Sequence, residues 1–405
     1  MFEVQRFLQK HFGHLTLAVS IAFAAVRILQ EGSVGHAWTF ALAAHHLWSS
    51  QSPYGLSLFT NFFFYSPFCG LFLYGPLILV PHLVGVFAHL AVGLAVFLSG
   101  LHRLSRHYLS QQSFQFLLVL IAPQLYSALF AFKTEIWIMG ILFWALAWMI
   151  EGRFLMMAAF LITMVTQWKL QTTPILALLT LAAVLRLNPR WLIAVAVSGI
   201  VLFFGPALFL GWNANLFYHQ EWSRTLQIFV SQAFYSFDNL YSFFRNFVGW
   251  EITFPQASAL STGCGALLAG LTWVMIRRRP QWNLNSSEFI LWVLVLGSFS
   301  AVSFSPLAQI NAYLLFAPVW IATLYLLERE QDQTQQTILF SICTVTVLFM
   351  FFGYSDLVPA PWHDRIRHWT LRPVFCDLLA VWVAFRLAMQ TSPRPHPDTS
   401  HPFVS

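Results

Sequence analysis

Apolar runs follow one another along nearly the whole chain, most of them close to the length of about 20 residues that an α-helix needs to cross a bilayer. They lie near 14–30, 83–102, 114–132, 136–150, 154–170, 173–187, 191–210, 258–276, 288–305, 311–327, 336–353 and 373–390. Only 9% of the residues are charged, against 58% hydrophobic and 17% aromatic. A soluble domain carries about 25% charged residues. So few charges cannot solvate the surface of a soluble globule, and the same shortage excludes a disordered chain and a nucleic-acid binder. The expected fold is therefore all-α, a polytopic membrane protein of about 12 transmembrane helices.

The net charge of +6 reads as a topology signal, because the arginines cluster at the ends of apolar runs. Arg6 and Lys10 precede the first run as in a signal peptide, but the many runs downstream favour an uncleaved first span. Cys69, Cys264, Cys343 and Cys376 lie in or beside apolar stretches without metal-ligand spacing and read as small buried thiols. The stretch 61–81 is apolar but carries Pro67, Pro76, Pro81, Gly70 and Gly75, which make it a poor regular span. If it does not cross, and the N-terminus is cytoplasmic, then Arg103, Arg106, Arg153, Arg186, Arg190, Arg277, Arg278, Arg279, Arg329 and Arg394 all face the cytoplasm. If it crosses, they all face outward, so the first arrangement is expected. Residues 1–390 then form one transmembrane domain with outer loops 30–82, 211–257 and 354–372, and 391–405 form a disordered cytoplasmic tail. Residues 38–48 have helical apolar spacing without net charge and suit an amphipathic helix on the outer membrane face.

Three stretches carry a family likeness. The first is TFALAAHHLWSSQSPYG followed by FFFYSPFCGLFLYGPLILVP; the second is FAFKTEIWIMGILFWALAWMIEGRFLMMAAFLITMVTQWKLQTTPIL; the third is DNLYSFFRNFVG, followed later by SFSPLAQINAYLLFAP. Over roughly 30–320 the chain resembles the GT-C integral-membrane glycosyltransferases, and more specifically glycosyltransferase family 87, the polyprenol-phosphate-mannose-dependent mannosyltransferases. The resemblance implies a GT-C-like fold in a bacterial inner (cell) membrane, and the arginine distribution puts both termini in the cytoplasm. It implies a hexosyltransferase that moves a sugar, in that family mannose, from a polyprenyl phosphate to a lipid or glycan acceptor at the outer face, with membrane lipids as its other partners. No cofactor and no metal are implied. The chain departs from the family at His36, where an Asp is usual, at Asn311, where a His is usual, and at Lys133-Thr134-Glu135, where a polar Gln/Asn motif is usual. An inactive homologue is one alternative. A lipid or polysaccharide transporter or flippase is another; it would show paired halves with broken helices at matching positions, and no such symmetry is visible.

Sugar transfer needs a base for the acceptor proton, cations for the departing phosphate and an apolar groove for the lipid. The candidate bases are Glu31, His36 and Asp238. Bland readings stand beside them: Glu31 paired with Arg27 one turn earlier, His36 as an interfacial histidine, Asp238 as the N-cap of the following helix. The candidate phosphate clamp is Lys169 and Arg245, with Lys133 as a third cation. Against this stand bland readings: Lys169 snorkelling to the interface, Arg245 paired with Asp238 or Glu251, and Lys133 paired with Glu135 in a loop. Tyr54 is a candidate to stack on a sugar, as are Trp38 and Trp48, and Asn311 joins the substrate-binding set by its place in the late motif. The segment PWHDRIRHW reads as a site for an anionic head group or as an interfacial anchor. His45 and His46 are adjacent and do not converge on a metal.

Overall fold

The computed structural model describes residues 2–31, 37–54, 65–233, 239–304, 310–352 and 371–389, and among them there are helices and no strands. In chain order these are α1 (Phe2–Glu31), α2 (Ala37–Trp48), α3 (His82–Ser105), α4 (Gln111–Phe130), α5 (Glu135–Ile150) and α6 (Leu155–Trp168). Then come α7 (Thr173–Leu185), α8 (Pro189–Phe204), the short α9 (Ala207–Leu210), α10 (Trp212–Ala233) and the single turn α11 (Leu240–Phe243). The last five are α12 (Phe254–Arg278), α13 (Ser287–Ser303), α14 (Ala317–Arg329), α15 (Gln333–Phe352) and α16 (Arg372–Met389). Each of the twelve apolar runs carries a helix. Among the described residues, five segments are long and apolar enough to cross a membrane: Lys10–Gln30, His82–Ser105, Gln111–Phe130, Pro189–Leu210 and Phe254–Arg278. Several others, α5, α6 and α13 among them, are apolar but shorter.

The stretch with three prolines is broken as its composition requires: Cys69–Leu73 form a π-helical turn and Gly75–Ile78 a 3-10 turn. The helix expected at 38–48 is α2, but both of its faces are largely apolar. Ala37, Phe40, Ala44 and Leu47 are buried, whereas Trp38, Leu42 and Trp48 are exposed.

Helices apolar all round belong in the middle of a bundle, and α5 and α13 lie there, enclosed on nearly every side. α3 and α5 run parallel and touch through glycines. A Cβ on Gly140 would stand 2.6 Å from the Phe97 nitrogen, and one on Gly100 2.5 Å from the Gly140 carbonyl. Small residues let two backbones approach where the surrounding medium is itself apolar. α1 lies along α4 in the same sense, with Gly13 N–H donating to Gln115 Oε1 and Phe23 meeting Tyr126 further on.

These directions divide the helix ends into two faces. At one, Arg103 and Arg106 reach Glu151, and Tyr108 donates to the Ser287 carbonyl. There too, Arg186 binds the Ile276, Arg279 and Trp282 carbonyls, and Arg386 pairs with Glu330. Arg279 in turn reaches the Ala388 carbonyl. At the opposite face lie the end of α4, the start of α5, the end of α6, and the broken segment 66–81.

Candidate functional site

The non-arginine face is built by two helix reversals. α4 ends with Phe132 in the left-handed region at φ 51°, and the Lys133 amide donates back to the Ala128 carbonyl at 2.8 Å. That six-to-one bond closes a helix end and is usually made around glycine. With Phe132 it costs about 1 kcal/mol of backbone strain, offset by the ring's burial against Phe40 and His89. The reversal sets Lys133 and Thr134 between two helices and makes Glu135 the first residue of α5, where the helix dipole favours an anion.

The second reversal ends α6. Trp168 is the last helical residue, and Lys169 is extended at φ −142°, ψ 104°. The Thr172 hydroxyl donates to the Lys169 carbonyl at 2.9 Å, and Pro174 lies in the first turn of α7. α5 and α6 form a hairpin, so the start of one meets the end of the other.

Lys169 Nζ donates to Glu135 Oε1 in an ion pair whose side chains are 16% and 2% exposed. The second Glu135 oxygen accepts from the Thr134 hydroxyl at 3.4 Å. Tyr65 lies 3.5 Å from that hydroxyl, and Tyr54 donates to the Tyr65 carbonyl at 2.7 Å. Below, Tyr74 accepts from Trp168 Nε1 at 2.9 Å and stacks on Phe40 with ring centres 4.5 Å apart. His89 completes the wall against Phe132 and Trp137.

Burial pushes the Lys133 ammonium down to about 8; the Glu135 carboxylate opposes that shift and Lys169 adds to it. Burial, and after it the charge of Glu135, raises the Tyr65 phenol. At neutral pH the cluster thus holds two ammonium groups against one carboxylate. The niche around them is walled by aromatic rings, and ions interact strongly in such surroundings.

The structure brings together two candidate cations, Lys169 and Lys133, with Tyr54 behind them. Tyr54 is 5% exposed, and its hydroxyl fixes the loop that carries Tyr65. Arg245 is elsewhere, exposed on a π-helical turn, Phe244–Val248. That turn is anchored by Tyr241, whose hydroxyl bonds the Ala257 and Phe304 carbonyls. His36, Asp238 and the segment PWHDRIRHW lie outside the described residues, as do the side chains of Glu31 and Asn311. Arg27 packs over the Phe130 ring.

Two bland readings are corrected. The N-cap of α11 is Asn239, not Asp238: its Oδ1 accepts from the Ser242 amide at 2.9 Å. Glu135 is bonded to Lys169 across the hairpin, so it is not merely a loop partner of Lys133. The residue that sequence reasoning passed over is Glu135 itself. The available signal was that two of the chain's three lysines stand at ends of consecutive apolar runs, one of them two residues from a carboxylate.

Comparison with known protein families and with curated proteins gives no match.

Proposed function

We propose that the chain is a multi-pass membrane hexosyltransferase of GT-C type, moving a sugar, mannose by family resemblance, from a polyprenyl-phosphate donor to a lipid or glycan acceptor. In this reading all twelve apolar helices span, the arginine face and both termini are cytoplasmic, and the lysine cluster faces outward. The observation that carries it is the convergence of Lys133 and Lys169 on Glu135 at the face away from the arginines. A polar channel through the midplane would favour transport instead; this cluster sits at one end of the bundle.

In the transfer the acceptor oxygen bonds to the anomeric carbon, and the bond from that carbon to the phosphate oxygen breaks. The lipid phosphate leaves with the electron pair and goes from one negative charge to two. The ammonium groups of Lys133 and Lys169 offset that growing charge in a site where ions interact strongly. Glu135 holds Lys169 in place and, being tied to an ammonium, is a poor base. The acceptor proton falls to Glu31, His36 or Asp238.

The test is transfer from labelled polyprenyl-phosphate sugars in membranes with and without the protein, then with Lys133→Met and with Glu31, His36 and Asp238 replaced singly. Transfer that needs the protein and Lys133 supports the proposal; transfer that survives all four substitutions sinks this assignment of roles.

A further inference from the structure

α10 carries a second polar feature that the lysine cluster does not use. Asn215 and His219, one helical turn apart, face the end of α8. Asn215 Nδ2 donates to the Phe203 carbonyl at 3.0 Å, which makes Oδ1 its acceptor atom. His219 Nδ1 lies 2.9 Å from the Asn215 carbonyl. A ring nitrogen facing a carbonyl must carry the proton, so Nε2 presents a lone pair. Burial lowers the imidazole's affinity for a second proton, with the Asn215 carbonyl opposing.

Both acceptors are then left over. Asn215 is fully buried and His219 is 7% exposed, and neither Asn215 Oδ1 nor His219 Nε2 has a hydrogen-bond donor among the described residues. A buried acceptor without a donor is a standing penalty, and here two lie on one helix face. The walls are aromatic: Phe203 packs on the imidazole with ring centres 4.1 Å apart, and Trp222 stands edge-on at 6.1 Å. Acceptors without donors beside aromatic faces suit a ligand that brings hydroxyl donors on a partly apolar ring, which is the chemistry of a pyranose. The feature also lies on the face of the lysine cluster. Just before α10, Phe209 of α9 packs against Trp48 and Phe72, two residues from Tyr74.

We propose that Asn215 and His219 hold hydroxyl groups of the sugar acceptor, a reading that rests on the proposed transferase function.

The test uses the full-length protein and octyl α-D-mannopyranoside, a single sugar on a short lipid tail, below its micelle concentration. His219→Phe keeps the aromatic packing and removes the acceptor; His219→Gln keeps an acceptor near Nε2. Two readouts are taken. The first is the rise in thermal midpoint on adding the glycoside, which needs no transfer. It should be present in the wild type, absent in His219→Phe and partly restored in His219→Gln. The second is transfer, where His219→Phe should raise the KM for the glycoside about tenfold, one hydrogen bond's worth, and leave the donor KM unchanged. Transfer with an unaltered glycoside KM in His219→Phe, or a midpoint shift undiminished in that variant, overturns the subsite while leaving the transferase reading intact. A midpoint shift that depends on His219 without any transfer supports the subsite and sinks the transferase reading.

Discussion

α5 carries a carboxylate cluster at each end, and the two are built differently. At its start Glu135 is 2% exposed and meets Lys169, with Lys133 close enough to feel both. At its end Glu151 is 11% exposed and takes a two-pronged grip from Arg103, with Arg106, 56% exposed, as a second partner. The arginine end is a rim: planar forks, backbone carbonyls and some solvent, with the guanidinium of Arg103 also over the Trp144 ring. His107 Nε2 lies there too, buried without a hydrogen bond among the described residues and 3.7 Å from the same carboxylate. The lysine end has flexible point charges and aromatic walls, and its carboxylate is the more deeply buried of the two. The predictions that follow attack or refine that contrast.

The largest effect belongs to the buried pair. Lys169→Met or Glu135→Gln leaves a partner charge or polar group stranded, and breaking a buried pair costs about 3–5 kcal/mol. Thermal or denaturant unfolding in detergent should show that loss for Lys169→Met. The double variant Glu135→Gln/Lys169→Met should recover part of that loss, because both members of the pair are gone while Lys133 loses the carboxylate that favours its charge. If the singles are as stable as the wild type, the pair is not the buried unit described here.

Most of the helices were legible in the sequence, while the pair was not. Long apolar runs and arginine-rich ends fix where helices begin and stop, and the prolines at 67, 76 and 81 mark the stretch that breaks. The boundaries moved where local chemistry overrules hydropathy. The run at 154–170 yields a helix ending at Trp168, because Lys169 turns to its partner. The helix in the run at 258–276 begins at Phe254, because Thr253 and Gln256 form a capping box. Pairing of Glu135 with Lys169 spans 34 positions. It depends on α6 returning to the level where α5 began, which no local pattern encodes. Arg245 shows the converse: its charge suits phosphate, but its turn packs on α12 and the end of α13.

Lys133 separates a ligand site from a structural one. Lys133→Met removes an ammonium that burial disfavours, so stability should hold or rise. Affinity for the proposed polyprenyl-phosphate donor should fall about tenfold to a hundredfold, the range of a charge-assisted hydrogen bond at 1.5–3 kcal/mol. The same residue sets a pH signature. Its value in the fold, about 8, is below the ordinary lysine value. Between about 8 and the unfolded value of about 10.4 the unfolded chain binds the proton more tightly. Stability should therefore increase with pH across that window, while donor binding weakens as pH passes 8. Both trends should vanish in Lys133→Met; parallel trends in the variant would assign them to another group.

At the other end of α5 the sign is reversed and the window is acidic. The Arg103 fork holds the Glu151 carboxyl down at about 2, with Arg106 adding. A lowered carboxyl stabilises the fold above its unfolded value, about 4.3, and that contribution disappears as pH falls toward 2. Glu151→Gln should cost about 1 kcal/mol at neutral pH, as expected of a partly solvated pair, and flatten the acid limb of the stability curve. Donor binding should not change.

The smallest effect, from Arg106, measures how far the rim is from being a site. Its guanidinium is 56% exposed and reaches Glu151 Oε1 at 3.0 Å, an oxygen that Arg103 already engages at 2.9 Å. Water and salt screen so exposed a charge, and the carboxylate keeps its stronger partner when Arg106 is removed. Arg106→Ala should shift stability by no more than about 0.5 kcal/mol, and the shift should shrink further in high salt. Lys169, by contrast, is one of two ammoniums facing a carboxylate that is 2% exposed, so its substitution should be insensitive to salt. Equal salt dependence at both ends would mean that water reaches Glu135 as freely as Glu151, and the distinction between rim and site would fail.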